Sequence, residues 1–146
     1  LVIAIVAGFV IDEPTVERSH RAAIDHHRNH TESAPAPRIA IPLGNINLAI
    51  RHVGLEAQTT LDRFVSADPC VIDAAPGAHL VLDGVHGPVS VLFFSQTATS
   101  VSIALEDNGV FGLIAPCQRG SVVILGQPGE RFETIEQQID ASIRFI

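Results

Sequence analysis

Short apolar runs separated by turn-forming residues occupy the second half of the chain, a pattern typical of β-strands. The apolar runs at residues 79–82 and 89–94 flank residues 83–88, whose glycines and proline favour a reversal of the chain. We therefore predict a β-hairpin over residues 78–95, and we expect the remaining apolar segments to pair with it.

Further strands are predicted on both sides of this hairpin. The connections between them are short, and Asn108-Gly109 supplies the positive φ that a tight turn needs. Such connections permit antiparallel neighbours but no crossover helices, so we predict a meander-like antiparallel sheet of five or six strands. The candidate segments for the additional strands are residues 61–66, 70–72, 101–105, 110–115 and 121–125, with a turn at 74–77 leading into the hairpin.

Two segments instead show the period of an amphipathic helix. Ile135, Ile139 and Ile143 are four positions apart, and Gly54 follows the first segment as a C-capping glycine would. Both helices are expected to pack on the sheet, which gives an α+β fold, although residues 144–146 could continue as an edge strand. The apolar face of the first helix consists of Leu43, Ile46, Ile50 and Val53.

The opening of the chain, residues 1–11, contains no charged residue and is followed by Asp12 and Glu13. A transmembrane helix needs about 20 such residues, so we predict that residues 1–11 are the C-terminal part of one. The acidic flank favours an extracytoplasmic location for the rest of the chain. The chain contains no methionine, so we expect it to be the distal part of a longer protein. The alternative is a buried strand or helix of the core.

Residues 12–32 predict a helix that is polar on nearly all sides, as is typical of a segment that extends from a membrane or lies on a partner. Alternating alanine and proline at residues 33–38 favour an extended linker. We therefore divide the chain into the anchor (1–11), the polar helix (12–32), the linker (33–41) and an extracytoplasmic α+β domain (42–146).

The polar helix contains four of the seven histidines of the chain. Their spacing at i, i+3, i+4 and i+7 places several imidazoles on shared faces, where they could bind Zn²⁺ or Cu²⁺. Alternatively, the histidines are solvated, or they gain charge together as the pH falls below about 7. No other cofactor is expected. The candidate metal ligands are His20, His26, His27 and His30.

Charge and cysteine content narrow the class of protein. The nine basic residues are all arginine and are scattered, and the net charge is −7, which argues against nucleic-acid binding. Cys70 and Cys117 belong to no zinc-ligand motif. We predict that they form a disulfide, which an oxidising compartment would permit, whereas a reducing compartment would leave two thiols.

We predict that the chain is not an enzyme. Either cysteine could act as a nucleophile with a histidine base and an aspartate, but the chain shows no strained nucleophile elbow, glycine-rich phosphate loop or paired-carboxylate motif. With seven histidines present, a cysteine and a histidine meet readily by chance. The residues considered are Cys70, Cys117, His52, His79, His86, Asp73 and Asp83.

Several motifs resemble the C-terminal half of a bacterial single-span membrane-protein family known only as a domain of unknown function, number thirty-three seventy-nine. The resemblance is carried by Cys70, by His79-Leu80-Val81 and by residues 87–91, 112–116 and 119–126. It implies an inner-membrane protein with a single span and a periplasmic domain. It also implies a link to extracytoplasmic-function sigma factors, through a segment upstream of Leu1 that is absent from this chain.

Taken together, these features favour a membrane-anchored periplasmic interaction or sensing domain, of the kind found in an anti-sigma regulator. We expect its partners to be the membrane and another membrane or periplasmic protein. Two alternatives remain: an accessory subunit of a larger membrane assembly, and a histidine-rich metal-binding module.

Overall fold

The computed structural model describes residues 4–6, 9–11, 13–31, 39–59, 63–94, 101–117 and 120–146. It confirms the predicted α+β class, with a six-stranded antiparallel sheet between layers of helix. The elements in chain order are β1 (Ala4–Val6), β2 (Phe9–Ile11), α1 (Glu13–Thr31), α2 (Leu43–Ile50), a 3₁₀ turn (Arg51–Val53), β3 (Leu55–Ala57), β4 (Phe64–Ile72), β5 (Ala75–Asp83), β6 (Pro88–Phe94), β7 (Ile103–Asp107), β8 (Val110–Cys117), β9 (Gly120–Gly126), α3 (Phe132–Ser142) and β10 (Ile143–Phe145).

The order of strands in the sheet is β4-β5-β6-β9-β8-β7. It consists of two three-stranded meanders that meet where β6 pairs with β9, which confirms the predicted meander-like antiparallel sheet. The pairing of β6 with β9 is the one point at which the order of strands departs from a simple meander. The predicted hairpin is β5-β6, with His79 opposite Leu92 and Val81 opposite Ser90. Its strands are central, and β4 and β7 form the edges.

Strand β4 replaces the two short strands predicted at 61–66 and 70–72. It runs through Pro69, which an edge strand tolerates because its outer side makes no ladder hydrogen bonds. The turn into β5 is made by Asp73 and Ala74, with φ of 50° and 62°, so it begins before the predicted 74–77 turn. The predicted Asn108-Gly109 turn is confirmed, with φ of 46° and 83°.

Side chains alternate between the two faces of the sheet, and each face has its own core. Helices α2 and α3 cover one face with Ile46, Ile50, Ile135 and Ile139. Gly54, at φ 78°, ends the 3₁₀ turn that follows α2, which confirms the predicted C-cap. Residues 143–145 form the edge strand considered as an alternative, and β10 pairs with β3.

Helix α1 covers the other face of the sheet. The sequence placed this helix apart from the folded domain, but Ala23 and Ile24 are buried against the sheet. Most of the predicted linker, residues 33–38, lies outside the described residues. The His-rich helix is therefore a layer of the fold, and its buried side chains define the candidate site.

The N-terminal apolar run differs in secondary structure from the predicted helix. Strands β1 and β2 pair antiparallel, with Ala4 opposite Ile11, and runs rich in valine and isoleucine fit a strand readily. Among the described residues, no helix combines the length and the apolar character that a membrane crossing requires. A membrane location for the protein stays a prediction.

Candidate functional site

Helix α1 is bound to the sheet by a narrow apolar contact. Ala23 is fully buried, and Ile24 is 6% exposed. One turn later on the same side of the helix, the residue facing the sheet is His27 rather than an aliphatic side chain. The apolar surface beneath the helix is formed by Ile72, Leu92, Phe94, Ile114, Val123 and Leu125.

Two ion pairs hold α1 near its ends. The Arg18 guanidinium donates from Nε to Asp73 Oδ2 at 2.9 Å, at the β4-β5 turn. Arg28 donates from Nη1 to Asp107 Oδ2 at 3.2 Å and from Nη2 to the Asp107 carbonyl at 2.8 Å, at the end of β7. Both pairs are partly solvated, so each contributes only about 0–1 kcal/mol. They orient α1 on the sheet but contribute little to the free energy that holds it there.

The candidate site is a buried hydrogen-bonded bridge of three side chains, hereafter the histidine–serine bridge. His27 Nδ1 of α1 lies 2.7 Å from Ser90 Oγ of β6, and His79 Nε2 of β5 lies 2.8 Å from the same oxygen. His27 and His79 are 8% and 6% exposed, and Ser90 is fully buried. The bridge therefore joins the helix to two central strands within an otherwise apolar layer.

The bridge favours uncharged histidines. Burial, followed by the charges of Arg28 and His26, lowers the pKa of His27 to about 4. Burial, followed by His26, His27 and His30, lowers the pKa of His79 to about 3. Both imidazoles are therefore neutral at neutral pH, where each offers one N–H donor and one nitrogen acceptor.

A groove of about 450 Å³ lies beside the bridge, between α1 and the edge strand β4. The His26 ring packs edge-on against His79 with centroids 4.8 Å apart, and it lies 4.3 Å from the His30 ring. Burial, with a smaller effect of His30, lowers the pKa of His26. The other side chains lining the groove are Ser66, Asp68, Pro69, Cys70, Val71 and Val81.

The structure separates the four predicted metal ligands. His26 and His30 line the groove, whereas His27 faces Ser90, and His20 is half-buried earlier on the helix. In the part of the chain that the structure describes, no three His, Cys, Asp or Glu side chains are grouped so as to hold a metal ion. Metal binding at these histidines stays a prediction.

The structure does not show the predicted disulfide between Cys70 and Cys117. Cys70 is in β4 and Cys117 in β8, four strand positions apart in the sheet, which corresponds to about 19 Å. A disulfide requires Cα atoms about 4.4–6.8 Å apart. Sequence spacing could not show this, because the order of strands separates the two residues.

Of the catalytic candidates considered, Cys70 and His79 are the pair that lines the same groove. Burial, with a smaller effect of Asp68, raises the pKa of the Cys70 thiol to about 11, so little thiolate forms at neutral pH. His52 Nε2 is 2.8 Å from the Gly77 carbonyl, and His86 is in the β5-β6 turn. Asp73 is paired with Arg18.

No sequence motif marks Ser90, although its oxygen is the centre of the bridge. A serine within reach of a neutral imidazole is the geometry of an activated nucleophile. Here the hydroxyl is fully buried, so no substrate reaches it while α1 is in place. The arrangement can instead pass a proton between two imidazoles through one hydroxyl.

The comparisons with known proteins identify a family but no activity. The family model described as Protein of unknown function (DUF3379) matches residues 1–143. No curated protein matches the chain. No solved structure matches it either.

Proposed function

The chain belongs to the DUF3379 family of proteins of unknown function, and we propose that it is the extracytoplasmic interaction or sensing domain of a membrane-anchored protein, with α1 as its responsive element. The observation that carries the proposal is the histidine–serine bridge between α1 and the sheet. A responsive element must leave its resting position at a moderate cost in free energy. The interface between α1 and the sheet meets this requirement because polar side chains occupy part of it.

The argument begins with the cost of polar groups in an interface. Each buried polar group must give up water for its partner, so a hydrogen bond contributes only about 0.5–1.5 kcal/mol net. Burying an aliphatic side chain of similar size contributes about 1.5–3 kcal/mol. With His27 and Ser90 at its centre, the contact of α1 is weaker than an apolar contact of the same area. The other helices, α2 and α3, present isoleucine to the sheet.

The second step concerns what the helix covers. Leaving the sheet, α1 would uncover an apolar surface that includes Leu92, Phe94 and Val123, together with the groove beside Cys70. Large exposed apolar patches on soluble domains mark sites of interaction. Release of one helix therefore converts a closed surface into a binding surface.

The extracytoplasmic and membrane-anchored parts of the proposal have separate support. The first eleven residues are uncharged, acidic residues follow them, and all basic residues are arginines scattered beyond Glu17. In the full-length protein, alkaline phosphatase fused after residue 146 should be active, and the protein should stay in the membrane after alkaline carbonate washing. An inactive phosphatase fusion with a fluorescent green-fluorescent-protein fusion would contradict this location.

Photo-crosslinking in intact cells tests the interaction. A photoreactive residue replaces Asp25, which is exposed on α1, and the control replaces Gln137, which is exposed on α3. We expect a discrete crosslinked species from position 25. Its yield should rise with Ser90→Ala, which weakens the bridge, and fall with the combined His27→Leu, His79→Leu and Ser90→Ala change, which makes the contact apolar. Equal yields from positions 25 and 137, or yields that do not follow the bridge variants, would overturn the proposal.

A further inference from the structure

The histidine–serine bridge has a proton requirement that follows from its geometry. The Ser90 hydroxyl has one proton and two lone pairs, so it can donate to at most one of the two imidazoles. Of the two nitrogens that face it, His27 Nδ1 and His79 Nε2, at least one must therefore carry a proton and donate to the hydroxyl. A ring nitrogen that accepts from Ser90 must belong to a neutral histidine.

Protonation of both imidazoles in acid changes this pattern of donors and acceptors. Both nitrogens of an imidazolium are donors, so double protonation leaves the Ser90 hydroxyl without an acceptor among the two rings. It also places two positive charges at positions that are less than a tenth exposed, where charge is costly without an opposite partner. Once α1 leaves the sheet, water can solvate both imidazolium groups.

The charged and titratable groups around the bridge are mostly positive or neutral. From α1 they are His26, Arg28 and His30, and from β4 they are Asp68 and Cys70. Asp107 of β7 accepts hydrogen bonds from Arg28, and the Asp68 carboxylate is exposed and accepts one from Ser66. Protonation of His26, whose ring packs against His79, adds further positive charge beside the bridge.

We propose that the signal for this domain is acid, and that protonation of the histidine–serine bridge releases α1 from the sheet and uncovers the surface beneath it. The inference rests on the proposed function, because it names what drives the responsive helix. The ion pairs Arg18–Asp73 and Arg28–Asp107 contain no histidine and are partly solvated, so they contribute little to holding α1 on the sheet.

The expected size of the response follows from the lowered pKa values. A solvated imidazole has a pKa of about 6.5, whereas the pKa values of His27 and His79 in the fold are about 4 and about 3. Each of the two histidines therefore favours the released state about 30-fold more at about pH 5 than at about pH 7.5. Above about pH 6.5 the helix stays on the sheet.

Hydrogen exchange of the full chain, resolved by peptide, tests the inference at about pH 7.5 and about pH 5, with rates corrected for intrinsic exchange. We expect protection of residues 18–30 to fall at least about tenfold at the lower pH, while residues 89–93 keep theirs. The combined His27→Leu, His79→Leu and Ser90→Ala variant should lose most of this change. His86→Gln, which alters an exposed turn histidine, should retain it.

Two results would overturn acid release: unchanged protection of α1 between the two pH values, or loss of protection by helix and sheet together. These outcomes are distinguishable from failure of the proposed function. If α1 exchanges separately from the sheet at neutral pH but its protection does not change at the lower pH, the proposal of a responsive helix is retained and acid is rejected as the signal. If α1 and the sheet exchange as one unit at neutral pH, the proposed function itself fails.

Discussion

His27 and Ser90 are 63 positions apart in the chain, and their side chains meet at 2.7 Å across the interface between α1 and the sheet. The contact unites the histidine-rich helix with the central hairpin. It also places a titratable group at the centre of an apolar layer, and this makes the packing of α1 dependent on protonation.

Removal of the Ser90 hydroxyl should destabilise the protein. Ser90→Ala leaves two buried imidazole nitrogens without their shared partner, which costs about 1–3 kcal/mol. Urea unfolding followed by far-UV circular dichroism measures the change, because the chain has no tryptophan or tyrosine to report by fluorescence. Ser102→Ala, at an exposed position, is the matched control and should shift stability by less than about 0.5 kcal/mol. Equal effects of the two variants would show that the bridge contributes little.

Stability should fall as the pH decreases below about 6.5. The folded-state pKa values of His27 and His79 are about 4 and about 3, so between these values and 6.5 the unfolded chain binds more protons than the folded chain. Their stabilisation is therefore complete above about pH 6.5 and is lost as the pH falls, by up to about 4 kcal/mol at pH 5. Urea unfolding at several pH values measures it, and a flat profile between about pH 7.5 and 5 would contradict it.

The combined His27→Leu, His79→Leu and Ser90→Ala variant should be at least as stable as the natural chain at neutral pH. Replacing a buried polar network as a whole by apolar side chains is often neutral or stabilising, because no buried partner is left unpaired. Thermal unfolding of the natural chain, the triple variant and Ser90→Ala gives the comparison. If the triple variant is less stable than the natural chain, the bridge contributes more than its apolar replacement.

Gly112 in β8 should tolerate no side chain. A Cβ at this position would overlap the carbonyl oxygen of Ile124 on the paired strand β9. We expect Gly112→Ala to lower stability by about 3 kcal/mol or more, since the backbone of two central strands must move. Gly44→Ala, where nothing lies within 4 Å in helix α2, is the control and should be neutral or stabilising by about 1 kcal/mol. Similar losses for both would contradict the close strand contact.

Both cysteines should be thiols in protein purified without reductant. Labelling of the denatured chain should modify Cys70 and Cys117, and dithiothreitol should leave the melting temperature unchanged. In the folded protein, the alkylation rate of Cys70 should keep rising with pH to about 11, because burial and Asp68 disfavour its thiolate. An intramolecular crosslink between the two cysteines in a non-reduced digest would contradict the strand order.

Local patterns predicted most of the elements. The 78–95 hairpin, the Asn108-Gly109 turn, Ile135 and Ile139 on the buried face of α3 and Gly54 as a C-cap all depend on residues close together in the sequence, and the structure confirms each of them. Ile143, which the same period placed on the helix, instead begins β10. The α+β class followed from the same patterns.

The long-range pairings could not be predicted in this way. The pairing of β6 with β9 and the packing of α1 on the sheet depend on tertiary contacts that periodicity does not encode. The low apolar content of α1 predicted an isolated helix, because buried histidines look polar in the sequence. The register of the hairpin contains one signal for the bridge. Val81 pairs with Ser90, so His79 and Ser90 lie on the same face of the hairpin, where they are the polar residues of two apolar strands.

The most direct test of the account is nitrogen-15 NMR of the histidine side chains, which reports the proton on each ring nitrogen. The histidine–serine bridge predicts that both His27 and His79 are neutral at about pH 6, and that at least one of His27 Nδ1 and His79 Nε2 is protonated. A proton on neither of these nitrogens, or rings that titrate near pH 6.5 as solvated histidines do, would contradict it.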